Sequence, residues 1–238
     1  MILKKARPLY LQVRDELTRR IAVMKPGENR LPSEEELTRQ LGVSRSTVRE
    51  ALHDMIREGI VSKRHGKGNF AHPAILRVPY RIDFKPDFRQ LLEDPSRKLT
   101  IRSTPYSMGP ASEKMIRRMP EAAGEPVYRW DWEYYLDDTL YIIATEEIPV
   151  RLFRRDPRYS HEFSVREFVA ACCDRDLAYF ISWIQAGDRP DIAERFGIRG
   201  SILQDWEELY YDIEDHPVCY CEVYFNPSCM EVSILTKL

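Results

Sequence analysis

The sequence runs to 238 residues, 43% hydrophobic, 31% charged and 11% aromatic. That composition excludes collagen-like and disordered chains and suits one large domain or two modest ones. Net charge is −2 but unevenly spread: the first 75 residues hold 15 Lys/Arg against 9 Asp/Glu, and the rest hold 21 against 29. A basic first third on an acidic remainder predicts that one part meets a polyanion and the other does not.

Apolar runs are only a few residues long, far short of the ~18–20 a membrane helix needs. Met1-Ile2-Leu3-Lys4-Lys5 lacks the apolar core of a signal peptide. A cytoplasmic protein with no membrane partner is expected. The five cysteines, Cys172, Cys173, Cys219, Cys221 and Cys229, are odd in number and are expected as free thiols.

Pro8 suits a helix start, and Leu9, Val13, Leu17 and Ile21 repeat every four residues, which predicts one apolar stripe of a helix ending near Met24 and stopped by Pro26-Gly27. Ser33 followed by Glu36 is a capping box opening a second helix with Leu37 and Leu41 inward, and Gly42 ends it. A third helix follows at once from Ser44, with Val48, Leu52, Met55 and Ile56 inward and Gly59 closing it. Two short helices joined by a tight glycine turn make a helix-turn-helix. Residues 60–64 and 69–71, around His65-Gly66-Lys67-Gly68, read as a β-hairpin, and a hairpin in that place is a wing.

The first turn of the third helix, Ser44-Arg45-Ser46-Thr47-Val48-Arg49, decides what this module touches. Arginine there can bond a guanine O6/N7 pair with two donors, and the hydroxyls suit phosphates or bases. Lys63, Arg64, His65 and Lys67 add charge at the wing.

Pro8-Leu9-Tyr10, Leu31-Pro32-Ser33-Glu34, residues 41–52 and Gly59-Ile60-Val61 resemble the GntR family of bacterial transcription regulators over about residues 8–71. The resemblance implies a homodimeric winged helix-turn-helix protein that binds operator double-stranded DNA. It implies contacts from Arg45, Thr47, Arg49 and Gly66, to which Tyr10, Ser33, Ser44, Ser46, Arg64, His65 and Lys67 are added as candidates. Members often carry a DNA-contacting arginine where this chain has Glu35, so readout is expected to differ there.

Residues 73–80 have two prolines and no helical pattern, and are expected as an extended linker between a head at 1–72 and a second domain at 81–238. In the second domain, strands are predicted at 99–106, 126–136, 140–149, 177–184, 203–212, 218–225 and 230–235. Helices are predicted at 111–119, 163–173 and 190–196, the last ended by Gly197. Hairpins with helices inserted between them imply an antiparallel sheet covered by helices, hence α+β.

Val127-Tyr128-Arg129 before a hairpin, Phe196-Gly197-Ile198 before a strand, and Tyr211-Asp212 leading to Pro217-Val218 and Tyr220 resemble the UTRA effector-binding domain of the HutC subfamily, which shares its fold with chorismate lyase. The resemblance implies a small-molecule effector held between sheet and helices. Phosphosugar-binding members use two arginines and a glutamate at places that here fall on Trp132, Tyr134 and Ala144, none of which neutralises a phosphate. Strand alternation sets Trp130, Trp132 and Tyr134 on one face and Arg129, Asp131 and Glu133 on the other. If the aromatic face lines the pocket, the ligand is flat or apolar rather than a phosphosugar; core packing is the other account of those rings.

Further effector candidates are Arg102, Arg129, Ser164 at a helix start, Tyr220, Glu222 and Tyr224. His216, Cys219 and Cys221 could hold zinc or copper, but paired C-x-x-C spacing is absent and buried thiols are favoured over a metal site. No metal or cofactor is expected. The expected function is a ligand-responsive regulator, a repressor. An enzyme is disfavoured because residues 80–238 show no nucleophile, base and acid set and fold alone does not establish chemistry. A DNA-binding protein whose second domain only dimerises remains the alternative.

Overall fold

The computed structural model describes residues 7–25, 27–78, 80–83, 87–155 and 164–237. The chain divides into two compact units, with breaks between 84 and 85 and between 232 and 233. The closing residues from Ser233 therefore belong with the first unit, not with the second as the sequence led one to expect.

In the first unit, helices α1 (Leu9–Ala22), α2 (Glu34–Leu41) and α3 (Arg45–Arg57) pack around Leu17, Ile21, Leu37, Val48 and Met55, all fully buried. The apolar stripe of α1 buries Val13, Leu17 and Ile21, whereas Leu9 is half exposed. Helix α1 ends at Ala22 rather than Met24, and Pro26 lies outside the described residues. Ser33 caps α2 in a complete capping box with Glu36, and Gly42 ends the helix at φ +65°. Ser44 caps α3 by accepting from the Thr47 amide.

Strands β1 (Val61–Arg64) and β2 (Gly68–Ala71) form the antiparallel wing. Gly59 turns the chain into it at φ +80°, a conformation that strains other residues.

The expected extended linker is instead a 3-10 helix over Pro73–Arg77, because proline at the first turn supplies φ while forfeiting an amide that has no partner there. Pro79 lies outside the described residues. Arg81 donates to the Glu58 carbonyl at 2.6 Å and Lys237 Nζ to the Ile56 carbonyl at 2.8 Å. Both cations meet the carbonyl-rich end of α3. The predicted last strand, 230–235, is absent: only a bridge between Arg81 and Ser233 forms. Asn226, accepting from the Ser228 amide at 3.0 Å, turns the chain out of the sheet first.

The second unit is a seven-stranded antiparallel sheet with helices on both faces. It contains α4 (Phe88–Leu91), β3 (Leu99–Ser103), β4 (Ser107–Pro110), α5 (Glu113–Arg118), β5 (Pro126–Leu136), β6 (Thr139–Pro149), α6 (Val165–Cys173), β7 (Leu177–Asp188), α7 (Pro190–Phe196), β8 (Ile202–Asp212) and β9 (Pro217–Phe225). The order is β3-β5-β6-β9-β8-β7, with β4 also on β5.

One prediction fails locally, and one element was not foreseen. The strand expected at 99–106 breaks into β3 and β4 at Thr104-Pro105-Tyr106, where Pro105 has no amide for the ladder. Helix α4 is a single turn and has no periodic signal. The predicted start of α6 at Phe163 lies outside the described residues.

One face of the sheet carries Trp130, Trp132, Tyr134, Glu146, Cys219, Cys221, Trp206 and Glu208, covered by α4 and α6. Phe88 of α4 meets Tyr134 edge-on at 5.6 Å, and Phe168 of α6 meets Trp130 at 5.0 Å. The other face carries Asp131, Glu133, Glu147, Asp205, Glu207, Tyr220, Glu222 and Tyr224, covered by α5 and α7.

Candidate nucleic-acid interface and effector cavity

On the first unit, the side chains of Arg45 and Arg49 at the start of α3 are 64% and 59% exposed. Both reach Glu34, the first residue of α2. Arg49 Nε donates to Glu34 Oε2 at 2.7 Å, Arg45 Nε lies 3.5 Å from the same oxygen, and Lys63 Nζ of the wing lies 3.7 Å from Oε1. The hydrogen bond from Arg49 leads in holding the Glu34 carboxyl below the ordinary carboxylate range, so it is charged at neutral pH.

Ser44 Oγ also lies 2.8 Å from Ser46 Oγ and 2.7 Å from Thr47 Oγ1. At the wing tip Arg64, His65, Gly66 and Lys67 are exposed, and Gly66 has φ +71°. Arg45, Ser46, Thr47, Arg49 and the wing thus share one side of the head. Three candidates are otherwise engaged: Ser33 is the cap of α2, its hydroxyl on Glu36 at 2.8 Å, Ser44 is the cap of α3, and Tyr10 packs against the core. Sequence reasoning missed Glu34 as part of this face; its signal was its place directly after the Ser33 cap.

In the second unit a cavity of about 470 Å³ opens between α4, the start of α6 and strands β7 and β8. Phe88, Tyr134, Tyr179, Phe180 and Tyr210 supply rings, Ser164 and Val165 the mouth of α6, and Asp87 and Arg166 one charge of each sign. Of the eight predicted effector residues, the cavity brings together Tyr134 and Ser164.

The other six are placed elsewhere. Trp132 is 1% exposed and packed into the core. Tyr220 and Tyr224 are fully buried on the opposite face. Glu222, on that face too, accepts from Lys114 Nζ at 2.8 Å and Arg189 Nη1 at 3.0 Å. Arg129 donates to Glu147 at 2.8 Å, and Arg102 lies over the Tyr135 ring. The reason is pairing register: Asp131, Thr145 and Glu222 stand in one cross-strand row, and Trp132, Ala144 and Val223 in the next.

Ser164 caps α6, with the Glu167 carboxylate on the Ser164 amide at 2.8 Å and on its hydroxyl at 2.9 Å. The chain's own anion already occupies that helix end.

Sequence reasoning also missed two buried carboxyls on the cavity side of the sheet. Glu146 is 1% exposed, and burial pushes it up to about 8, with Trp132 and then Trp130 favouring the charged form. Burial pushes Glu208 up to about 7 against the Tyr210 and Ser182 hydroxyls, which donate at 2.7 and 3.2 Å. His216 is largely exposed in the β8–β9 turn, while Cys219 and Cys221 are fully buried with thiols raised by burial. The candidate metal trio is therefore not assembled.

Residues 9–70 match the model of the bacterial regulatory proteins, gntR family. Residues 9–70 are a GntR-family head. YurK of Bacillus subtilis, an uncharacterised HTH-type transcriptional regulator, is 28% identical over 149 residues, covering 61% of this chain and 60% of YurK. MngR of Escherichia coli, the mannosyl-D-glycerate transport/metabolism system repressor, is 37% identical over 90 residues, 37% of this chain and 36% of MngR. The aligned stretches thus span less than two thirds of these relatives. The crystal structure of YydK of B. subtilis, a possible transcriptional regulator, covers 96% of this chain and 99% of its own at a TM-score of 0.69 and 16% identity. That likeness shows the fold: a helical head with a wing joined to an α+β antiparallel-sheet domain. No helix among the described residues is long and apolar enough to cross a membrane.

Proposed function

We propose that this protein is a ligand-controlled transcriptional regulator, a cytoplasmic repressor and not an enzyme, working as a homodimer on a pseudo-palindromic operator. The observation that carries the reading is the convergence of Arg45, Arg49 and Lys63 on one exposed side of a GntR head. Arg45, Ser46, Thr47 and Arg49 enter the major groove, and Arg64, His65, Gly66 and Lys67 follow the backbone or minor groove. Two heads put half-sites about one helical turn apart, or a multiple of it.

The second unit is read as a UTRA-type effector domain of the HutC kind, with residues 1–72 as the head. The ring-lined cavity is its ligand site. A flat or apolar effector fits these walls better than a phosphosugar, since five aromatic rings line them and Tyr134 stands where the resemblance places an arginine in phosphosugar binders. The effector acts by favouring one arrangement of the dimer, a coupling typically of ~1–3 kcal/mol.

Retardation of a labelled duplex from the DNA upstream of the gene tests the reading, with a metabolite panel added to the bound complex. Specific retardation relieved by one metabolite supports it. Retardation that no metabolite alters supports a second domain that only dimerises.

A further inference from the structure

Glu34 places a charged carboxylate among Arg45, Arg49 and Lys63, with Glu35 and Glu36 beside it on the same helix. A carboxylate there repels phosphate and weakens attachment to any duplex. Its side chain is 18% exposed, and it draws cations from two other elements, α3 and the wing. Both arginines approach it through Nε. A guanidinium bound through Nε keeps its two terminal nitrogens pointing onward as a fork, the pair of donors that matches guanine O6 and N7.

We infer that Glu34 is a positioning residue for sequence readout: it fixes the Nε of Arg49, and more loosely of Arg45, so that their terminal nitrogens meet paired acceptors on a base, while its charge weakens binding to every other sequence. Glu34 itself touches no base. The inference rests on the head being a DNA reader, and adds that a residue outside the base contacts sets the gap between operator and random DNA.

The test uses the full-length protein and two duplexes: one selected by the wild type from a random pool, and a scramble of the same composition. Affinities are measured by fluorescence anisotropy at two salt concentrations for wild type, Glu34→Gln, Glu34→Asp, Arg49→Lys, Arg49→Ala and the Glu34→Gln/Arg49→Ala double variant. The ratio of selected to scrambled affinity is expected to fall by roughly 5- to 150-fold in Glu34→Gln, the discrimination one bidentate arginine–base pair supplies. Scrambled-duplex affinity should stay level or rise. Arg49→Lys keeps the charge but loses the fork, so it should lower the ratio with little change in salt dependence. Glu34→Asp should restore part of the ratio, and Glu34→Gln should add little once Arg49 is alanine.

Equal tightening of Glu34→Gln on both duplexes would overturn the inference, because the carboxylate then acts by charge alone. So would an unchanged ratio, or a fall undiminished in the Arg49→Ala background. Those results leave DNA binding standing; a wild type that selects no sequence at all removes both. Melting temperatures within a few degrees of wild type separate readout from misfolding, and a collapse of Glu34→Gln leaves Arg49→Lys and Glu34→Asp to decide.

Discussion

Trp132 and Glu222 stand on opposite faces of one sheet. Trp132 shares a cross-strand row with Ala144 and Val223, and Glu222 shares the neighbouring row with Thr145 and Asp131. The aromatic side, under α4 and α6, borders the cavity. The charged side, under α5 and α7, is tied by ion pairs from Lys114, Arg118, Arg129, Arg189 and Arg195. One face therefore offers space for a ligand, and the other binds helices to the sheet.

Glu222 accordingly contributes to stability rather than to ligand recognition. Glu222→Gln removes one of two carboxylate partners from each of Lys114 and Arg189, which keep Asp205 and Asp191 respectively. It is expected to lower stability by about 1–3 kcal/mol. Urea denaturation measures this, and the melting-temperature rise produced by an effector should persist in the variant.

Glu146 makes the second unit sensitive to alkali. Below the ordinary carboxyl value of 4.5 the folded and unfolded chains both carry the proton, so burial adds no charge. As pH climbs from there to about 8, only the unfolded chain ionises, and stability falls until the folded carboxyl titrates too. Glu208 adds the same trend up to about 7. Glu146→Gln should flatten the decline in melting temperature between pH 5 and 8, with a gain at pH 8 of roughly 1–4 kcal/mol. Parallel wild-type and variant curves would show that this carboxyl is charged in the fold.

Ser44 links helix stability to the presentation of two hydroxyls. Ser44→Ala removes the acceptor for the Thr47 amide and the partner of Ser46 and Thr47. A loss of about 1 kcal/mol in stability is expected from the missing cap. Operator affinity should drop several-fold as well, which calorimetry and anisotropy on the same preparation can separate.

Ala178 lies in the cavity wall beside Tyr179 and Phe180. Ala178→Trp should fill the space and abolish the effector-induced rise in melting temperature. A ligand at 100 times its Kd supplies about 2.7 kcal/mol, so the loss is readily seen. DNA retardation by this variant should remain but no longer respond to the effector.

The parts legible in the sequence were those set by neighbours along the chain. The Ser33–Glu36 box and the Gly42 and Gly197 turns read correctly because their partners lie within four residues. The β5–β6 hairpin read correctly as well, from its alternation and its Asp137-Asp138 turn. What could not be read was set by partners far away. Alternation shows that Tyr220, Glu222 and Tyr224 share a face but not which face carries the cavity; that follows from β9 pairing with β6. Glu146 gives no local sign of burial, because the aromatic side chains facing it come from a different strand. The closing strand failed for a local reason, the Asn226 turn, that strand propensity alone does not register.

The account depends most directly on the arginines of α3 meeting DNA. Anisotropy titration of a selected duplex with wild type and Arg45→Ala, at low and moderate salt, tests it. Salt-sensitive wild-type binding is predicted, with a loss of about 1–3 kcal/mol in the variant if Arg45 reads a base. Identical titrations for the two proteins, or no binding by wild type even at low salt, would contradict it.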